Sequence, residues 1–324
     1  MWAKPFVRCL RARRAYSRLL CIAACLGFTL QAWGDIALSL PYRAIISDVD
    51  CTLMPFATNT ELSSRNRAAL ASAIKAGCQV CVATGRIPGP WYEDLLQQLP
   101  GLGPGVFANG ALVLAADSDV VLQASSLPAE AVARVVQSSQ GGIIAGHRVA
   151  LLALLKSDKG YGYAELAPEP TWVTQMIQRA AEPVKNMPSF DDLPSEVYKF
   201  VLFTSPDVAG WADDMAPVTA ALEDALADTG VRVLDCGRHH CEVLPPGVNK
   251  GTGVRQLLAA LGIESEAAIA CGDSENDVEM LQLVGLGVAM GDAKPVAMAA
   301  ADVVVANHSA DGVAEAVERF VLGQ

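Results

Sequence analysis

From residue 43 onward, short apolar β-branched runs alternate with longer stretches in which apolar residues recur every three or four positions. The first texture reads as buried strands and the second as amphipathic helices. Strands are predicted over 43–47, 79–83, 105–108, 267–271, 287–290 and 302–306. A helix is predicted over about 64–76, with Leu70 and Ile74 on one face, Ser63 or Ser64 as its cap and Gly77 as its stop. A second starts near Asn249, carries Val254, Leu257, Leu258 and Leu261, and halts at Gly262; a third follows Ser274 and carries Met280, Leu281 and Val284. Strand and helix in this alternation are the signature of a parallel sheet covered on both faces, so the expected class is α/β with a Rossmann-like core.

The alternation is interrupted between about 126 and 242. There the pattern gives two amphipathic helical stretches, 129–137 and 218–227, strands such as 198–204 and 231–234, and irregular links near Pro168, Pro170, Pro183 and Pro194. The alternating texture resumes at Val243. We therefore expect an α+β domain (126–242) inserted between two parts of one core (43–125 and 243–324).

Residues 1–34 stand apart, with six bases, no acid, an apolar stretch over 19–30 and Ala32-Trp33-Gly34 in the small-x-small form of a cleavage site. This segment is expected to be a targeting leader for organelle import or secretion and is set aside from the fold. The remainder keeps 18 of the 24 bases against all 35 acids, a net charge of −17. Such a body is not expected to bind nucleic acid by bulk charge. It has no apolar run of ~18 residues, so no membrane span is expected and the body should be soluble. With 52% hydrophobic and 18% charged residues, global disorder is excluded. Of nine cysteines, three fall in the leader and six show no regular framework, so reduced thiols are expected. Cys78 and Cys81 point to opposite faces of a strand and read as core residues. Cys236, His239, His240 and Cys241 crowd into six residues, too tightly to surround one zinc ion tetrahedrally.

The chemistry gathers at strand ends. Ala44-Ile45-Ile46 runs into Asp48-Val49-Asp50-Cys51-Thr52; Thr84-Gly85-Arg86 follows the second strand, Asn109-Gly110 the third, and Gly272-Asp273-Ser274-Glu275-Asn276-Asp277 the fourth. Parallel α/β sheets bind ligands at the carboxyl ends of their strands. Asp48, Asp50, Asp273 and Asp277 placed together would repel unless a cation neutralised them, and hard oxygen ligands select Mg²⁺, which keeps open positions for phosphate. Lys250 at a helix start and Thr84 add donors for a tetrahedral oxyanion. An aspartate in such a site can attack phosphorus, and a partner two residues later can protonate the leaving alcohol and then deprotonate water.

With these motifs in view, the chain resembles the haloacid dehalogenase superfamily of phosphatases, and within it the Cof-type hydrolases with a large inserted cap. Asp48-Val49-Asp50-Cys51-Thr52 is similar to the first motif, Thr84-Gly85-Arg86 to the second, Lys250 to the third and Gly272-Asp273 with Asp277 to the fourth. The resemblance implies that Asp48 is the nucleophile and Asp50 the acid/base, with its main-chain carbonyl also on Mg²⁺. It further implies that Asp273 ligates the metal, that Asp277 ligates or supports it, and that Thr84, Gly85, Lys250 and Asn276 hold the phosphoryl group. The implied function is hydrolysis of a small phosphorylated metabolite, a sugar phosphate or a cofactor phosphate. The alternatives are a phosphomutase or a catalytically silent ligand-binding protein. Two positions depart from the family pattern: Cys51 stands where Gly is usual, and Asp292 where Asn is usual. Lys199, Arg238, His239 and His240 are candidate substrate contacts in the cap. Asn307, His308 and Asp311 read as surface and capping residues, and Gly101-x-Gly103-x-Gly105 as turn punctuation.

Overall fold

The four residues Ala44–Ser47 are all buried, and they pair in parallel on both sides, with Ala268–Gly272 and with Gln79–Val82. A strand buried on both faces needs no polar alternation, which is why Ala44, Ile45 and Ile46 are apolar in succession. Two further parallel strands, Leu286–Ala289 and Val303–Val304, complete a five-stranded sheet in the order Val303–Val304, Leu286–Ala289, Ala268–Gly272, Ala44–Ser47, Gln79–Val82. This is the α/β arrangement expected from the alternating pattern. These coordinates are a computed structural model describing residues 40–55, 61–116, 120–139, 142–158, 160–166, 171–189, 193–204, 214–237 and 239–324. The expected leader and Arg238 lie outside the described residues.

Local signals set the helix ends. Ser63 Oγ accepts from the Asn66 N–H at 3.0 Å and starts the helix Ser64–Lys75. Asn249 caps Lys250–Leu261 through the Thr252 N–H at 2.8 Å, with the Thr252 hydroxyl bonding back, and Gly262 ends it in the left-handed region at φ +63°. Caps of this kind contribute ~1 kcal/mol each. Leu70, Val254, Leu257 and Leu258 are buried, each contributing about 1.5–3 kcal/mol by leaving water. The third expected helix is split. Glu275–Asp277 forms a tight 3₁₀ turn, Val278–Leu283 the α-helix, and Val284 lies just past its end.

One strand departs from expectation. Gly105–Phe107 runs alongside Gln79–Val82, joined by the parallel bridge Ala83 to Val106 and by the Thr84 N–H to Val106 carbonyl (2.9 Å) and Gly103 N–H to Val80 carbonyl (2.7 Å) bonds, but its main ladder is antiparallel, in a small sheet with Leu112–Leu114 and Val121–Ala124. Ala108, Asn109 and Gly110 all have positive φ (51°, 54° and 101°), so the chain turns back after three residues instead of continuing into a helix.

A second sheet of six strands is built from the interrupted region, in the order Val184–Met187, Gly160–Leu166, Ala150–Ser157, Lys199–Phe203, His240–Leu244, Arg232–Asp235. All its pairings are antiparallel except that of the first two strands. Strand alternation gives this sheet two different faces. Leu151, Ala153, Phe200, Leu202, Cys241 and Val243 point to one face and pack with Ala131 and Val135 of the helix Ala129–Ser138 and Val218 and Leu222 of Ala216–Leu226. Their neighbours Leu152, Lys199, Val201, Phe203, His240 and Glu242 point the other way, into a cavity shared with the parallel sheet. Both sheets belong to one compact unit, Tyr42–Gln324. Among the described residues no helix is long and apolar enough to cross a membrane.

Candidate active site

In-register pairing carries the acidic residues to one edge of the core sheet. Ser47 is level with Cys271 on one side and Val82 on the other, so Asp48, Asp273 and Thr84 all emerge just past the strand ends. Asp48, Asp273 and Asp277 each offer an oxygen within 4.8 Å of the others. Gly272 makes this possible: a Cβ there would stand 2.6 Å from the Asp277 side chain. Lys250, only 1% exposed at the first turn of its helix, bridges the group, with Nζ 2.5 Å from Asp48 Oδ1 and 2.6 Å from Asp277 Oδ1. Asp277 Oδ2 accepts from the Asp273 and Ser274 N–H groups at 2.9 and 3.0 Å. Both oxygens of Asp277 are thus engaged in holding its neighbours.

The electrostatics follow from burial. Asp48 is 5% exposed, and its carboxyl is raised well above the ordinary range, first by burial and then by the neighbouring carboxylates, with Lys250 opposing them. Asp273 is raised to about 6, again by burial first and then by Asp277; Lys250 and the Thr52 hydroxyl, 3.2 Å from Oδ1, pull it down. For Lys250 burial disfavours the charge, but Asp277 and Asp48 outweigh it and the net shift is upward. One ammonium among three carboxylates leaves the cluster short of positive charge, and its donors are all hard oxygens. That set fits Mg²⁺.

Asp50 points away from this cluster and is held by Arg86, with Nε 2.8 Å from Oδ2 and Nη2 2.5 Å from Oδ1. Arg86 is 7% exposed and stacks over Trp91, 5.2 Å from the ring centroid. Such a two-pronged, packed pair fixes the direction of the carboxylate. Thr84 is fully buried, and its hydroxyl accepts from the Arg86 N–H at 3.1 Å, shaping the turn from behind. Gly85 lines the cavity at a position where a Cβ would come within 3.2 Å of the Asn109 amide. Asn276 also lines it and donates to Asn109 Oδ1 at 2.9 Å. The expected site residues are therefore brought together, with Asp48, Asp50, Gly85, Asn276 and Asp273 on the cavity wall and Thr84, Lys250 and Asp277 behind it.

The insertion supplies residues that the motifs did not single out. Glu242 accepts from Lys199 Nζ at 2.7 Å and from Asn109 Nδ2 at 2.8 Å, while Lys199 Nζ also reaches the Gly85 carbonyl at 2.9 Å. Glu182 Oε1 accepts from the Ile87 N–H at 2.7 Å. With Tyr163, Phe203 and His240 they close a cavity of about 360 Å³ over the strand ends. His240 stacks on Phe203, with centroids 5.3 Å apart and planes 19° apart, whereas Cys241 lies in the insertion core, so these two members of the Cys/His run face opposite sides of one strand. Cys78 and Cys81 are buried, free thiols. Asp292 accepts from the His308 N–H at 3.2 Å and lies 2.6 Å from His308 Nδ1, a tie between two loops that accounts for its departure from Asn.

A parallel five-stranded sheet with acidic residues at its strand ends and a second sheet inserted in the chain defines an α/β class of hydrolase, and residues 45–317 match the haloacid dehalogenase-like hydrolases: the chain belongs to that family. It is 29% identical over 297 residues to "Endoribonuclease YBEY, chloroplastic" of Arabidopsis thaliana, covering 86% of this chain and 46% of that protein. It is 28% identical over 249 residues to the 5-amino-6-(5-phospho-D-ribitylamino)uracil phosphatase YbjI of Escherichia coli, covering 76% of this chain and 84% of the relative. The chain spans less than half the length of the first curated relatives it matches. A solved haloacid dehalogenase-like hydrolase from Bacteroides thetaiotaomicron superposes with a TM-score of 0.68 at 26% identity, over 86% of this chain and 99% of that one.

Proposed function

We propose that the protein is a Mg²⁺-dependent phosphatase that hydrolyses a small phosphorylated metabolite through an aspartyl-phosphate on Asp48, with residues 126–242 acting as the cap. The observation that carries this reading is the meeting of Asp48, Asp273 and Asp277 within 4.8 Å around Lys250, at the floor of a cavity. Asp48 and Asp273 would hold the ion, with the Asp50 carbonyl, and Asp277 would position Lys250 and the Asp273 turn. Bound there, Mg²⁺ would neutralise charge on the carboxylates and on the phosphate oxygens.

Asp48 attacks phosphorus, the ester P–O bond breaks, and Asp50 gives its proton to the leaving alcohol. In the second half, Asp50 takes a proton from water, whose oxygen attacks phosphorus and releases Asp48 and inorganic phosphate. Lys250, Gly85 and Asn276 hold the phosphoryl oxygens, and Thr84 shapes the loop that carries Gly85. The cap excludes water and contacts the leaving group. The likeness to the Escherichia coli 5-amino-6-(5-phospho-D-ribitylamino)uracil phosphatase supports a small metabolite phosphate as substrate.

Phosphate release from a panel of metabolite phosphates and p-nitrophenyl phosphate, with Mg²⁺ and with EDTA, tests this reading. Asp48→Asn is expected to abolish turnover with an unchanged melting profile. Undiminished turnover in that variant would refute the assigned nucleophile, and metal-independent hydrolysis would refute the role of the ion.

A further inference from the structure

We propose that the cavity refuses a leaving group that carries negative charge, and that Glu182 is the residue that reads this property. The inference rests on the phosphatase reading and assigns its specificity. Among the described residues, the cations that line the cavity are all engaged. Lys199 is taken up by Glu242 and the Gly85 carbonyl, Arg86 by Asp50, and Lys294 by Glu275 at 2.5 Å. On the insertion side three carboxylates line the wall, Glu182, Asp235 and Glu242, against the single ammonium of Lys199. A carboxylate or second phosphate on the leaving group would meet like charge there and, among the described residues, find no cation that a carboxylate does not already face.

Glu182 and Asp235 each have an oxygen to spare, and Glu182 is the one beside Arg86. One of its oxygens accepts from the Ile87 N–H, and its side chain makes no other hydrogen bond among the described residues. Nearby, Arg86 Nη1 is buried without a partner. The guanidinium is already met by Asp50, Glu182 and Asp48, so Nη1 offers a donor to a neutral oxygen without a net positive field. A hydroxyl or ammonium on the leaving group therefore finds an acceptor in Glu182 and a donor in Arg86, while Leu152, Ile177, Val201 and Phe203 enclose the rest. Burial raises Glu182 to about 7, so the discrimination is best read above neutrality, where its charge is present.

The test uses the full chain with Mg²⁺ at about pH 8 and three esters on a six-carbon scaffold: glucosamine 6-phosphate, glucose 6-phosphate and 6-phosphogluconate. Their leaving groups are cationic, neutral and anionic. Any that is not turned over is measured as a competitive inhibitor of p-nitrophenyl phosphate hydrolysis. 6-Phosphogluconate is expected to fall below glucose 6-phosphate by about 30-fold in kcat/KM or in inhibition constant, the size of one unscreened like-charge contact. Glu182→Gln should narrow that gap to about threefold. Equal or better use of 6-phosphogluconate by the unmodified chain overturns the proposal, whether or not the variant folds. An unchanged gap in a folded Glu182→Gln protein overturns the role of Glu182. Absence of any hydrolysis, p-nitrophenyl phosphate included, would instead sink the phosphatase reading and this inference with it.

Discussion

Removing and restoring Mg²⁺ at several pH values probes the acidic cluster directly. In the metal-free protein, burial and then Asp277 raise Asp273 from an ordinary 3.8 to about 6. A carboxyl with a higher pKa in the folded than in the unfolded state holds its proton more tightly when folded. Its stabilising contribution is therefore full below pH ~4 and is lost as pH rises from about 4 to about 6. A shift of roughly two units corresponds to ~3 kcal/mol at most, and the partial exposure of Asp273 to the cavity reduces this to ~1–2 kcal/mol. Divalent binding needs the ionised form, so stabilisation by Mg²⁺ has the opposite slope: small near pH 4.5, larger at about pH 6 and larger again at about pH 7.5, because burial also raises Asp48, the other ligand. An ion present at about 100 times its Kd adds ~2.7 kcal/mol, which for a chain of this size is ~5 °C in Tm. The assay is a thermal melt at those three pH values, with EDTA and with saturating Mg²⁺. The difference between the two curves is the quantity of interest, because it cancels the titration of every group remote from the site. An equal difference at all three values, or none at the highest, would refute a metal site built on Asp48 and Asp273.

Three further outcomes are expected. Lys250→Met strands Asp48 and Asp277 in a buried setting, so the metal-free protein should lose ~3–5 kcal/mol in a denaturant melt and turnover should fall by at least about 100-fold; a loss under ~1 kcal/mol would contradict the bridging role. Glu242→Gln leaves Lys199 buried without its counter-charge and is expected to be destabilising by ~3–5 kcal/mol, with Lys199→Met recovering part of the loss; additive effects in that double-mutant cycle would deny the pair. Cys51 adopts the left-handed region at φ +56°, where a side chain costs ~1–2 kcal/mol. Glycine relieves that strain and gives back ~0.5–1 kcal/mol in unfolded-chain entropy, so Cys51→Gly should keep activity and leave stability equal or up to ~1 kcal/mol higher, as measured by chemical unfolding. A clear destabilisation would show that the thiol packs usefully in the turn.

Much of the core was legible because its signals are local. Ala44–Ser47 declares a buried strand by its unbroken apolar start Ala44-Ile45-Ile46, and the carboxylates just beyond it are placed by the rule that ligands meet parallel strands at their carboxyl ends. Asn249 and Gly262 mark both ends of one helix by chemistry that acts within four residues. The exception in the core, Gly105–Phe107, failed because the positive φ at Ala108 has no signal in the sequence: alanine is a residue that rarely adopts it, and only the fold around Asn109 requires it.

The insertion contributes its share of the site through contacts between residues remote in sequence, and this is why that share was hidden. Lys199 was a candidate for touching substrate, yet its ammonium is taken up by Glu242 and the Gly85 carbonyl, 43 and 114 residues away. Glu182, beside Pro183 in an irregular link, gave no pattern at all, and it reaches the loop after Thr84-Gly85-Arg86 only because the lid folds back over the strand ends. The division is physical. Asp48 and Asp273 stand at strand termini whose position the sheet dictates, whereas the residues proposed to meet the leaving alcohol come from the insertion: Leu152, Val201 and Phe203 from the sheet face that period-two alternation turns toward the cavity, and Glu182 from the link before Val184–Met187. Exchanging residues on that face alters which alcohol fits without moving Asp48, so the chemistry of the site and its selectivity can vary independently. Substitutions at Glu182 should accordingly act on the ratio between substrates, and substitutions at Lys250 on the turnover of all of them.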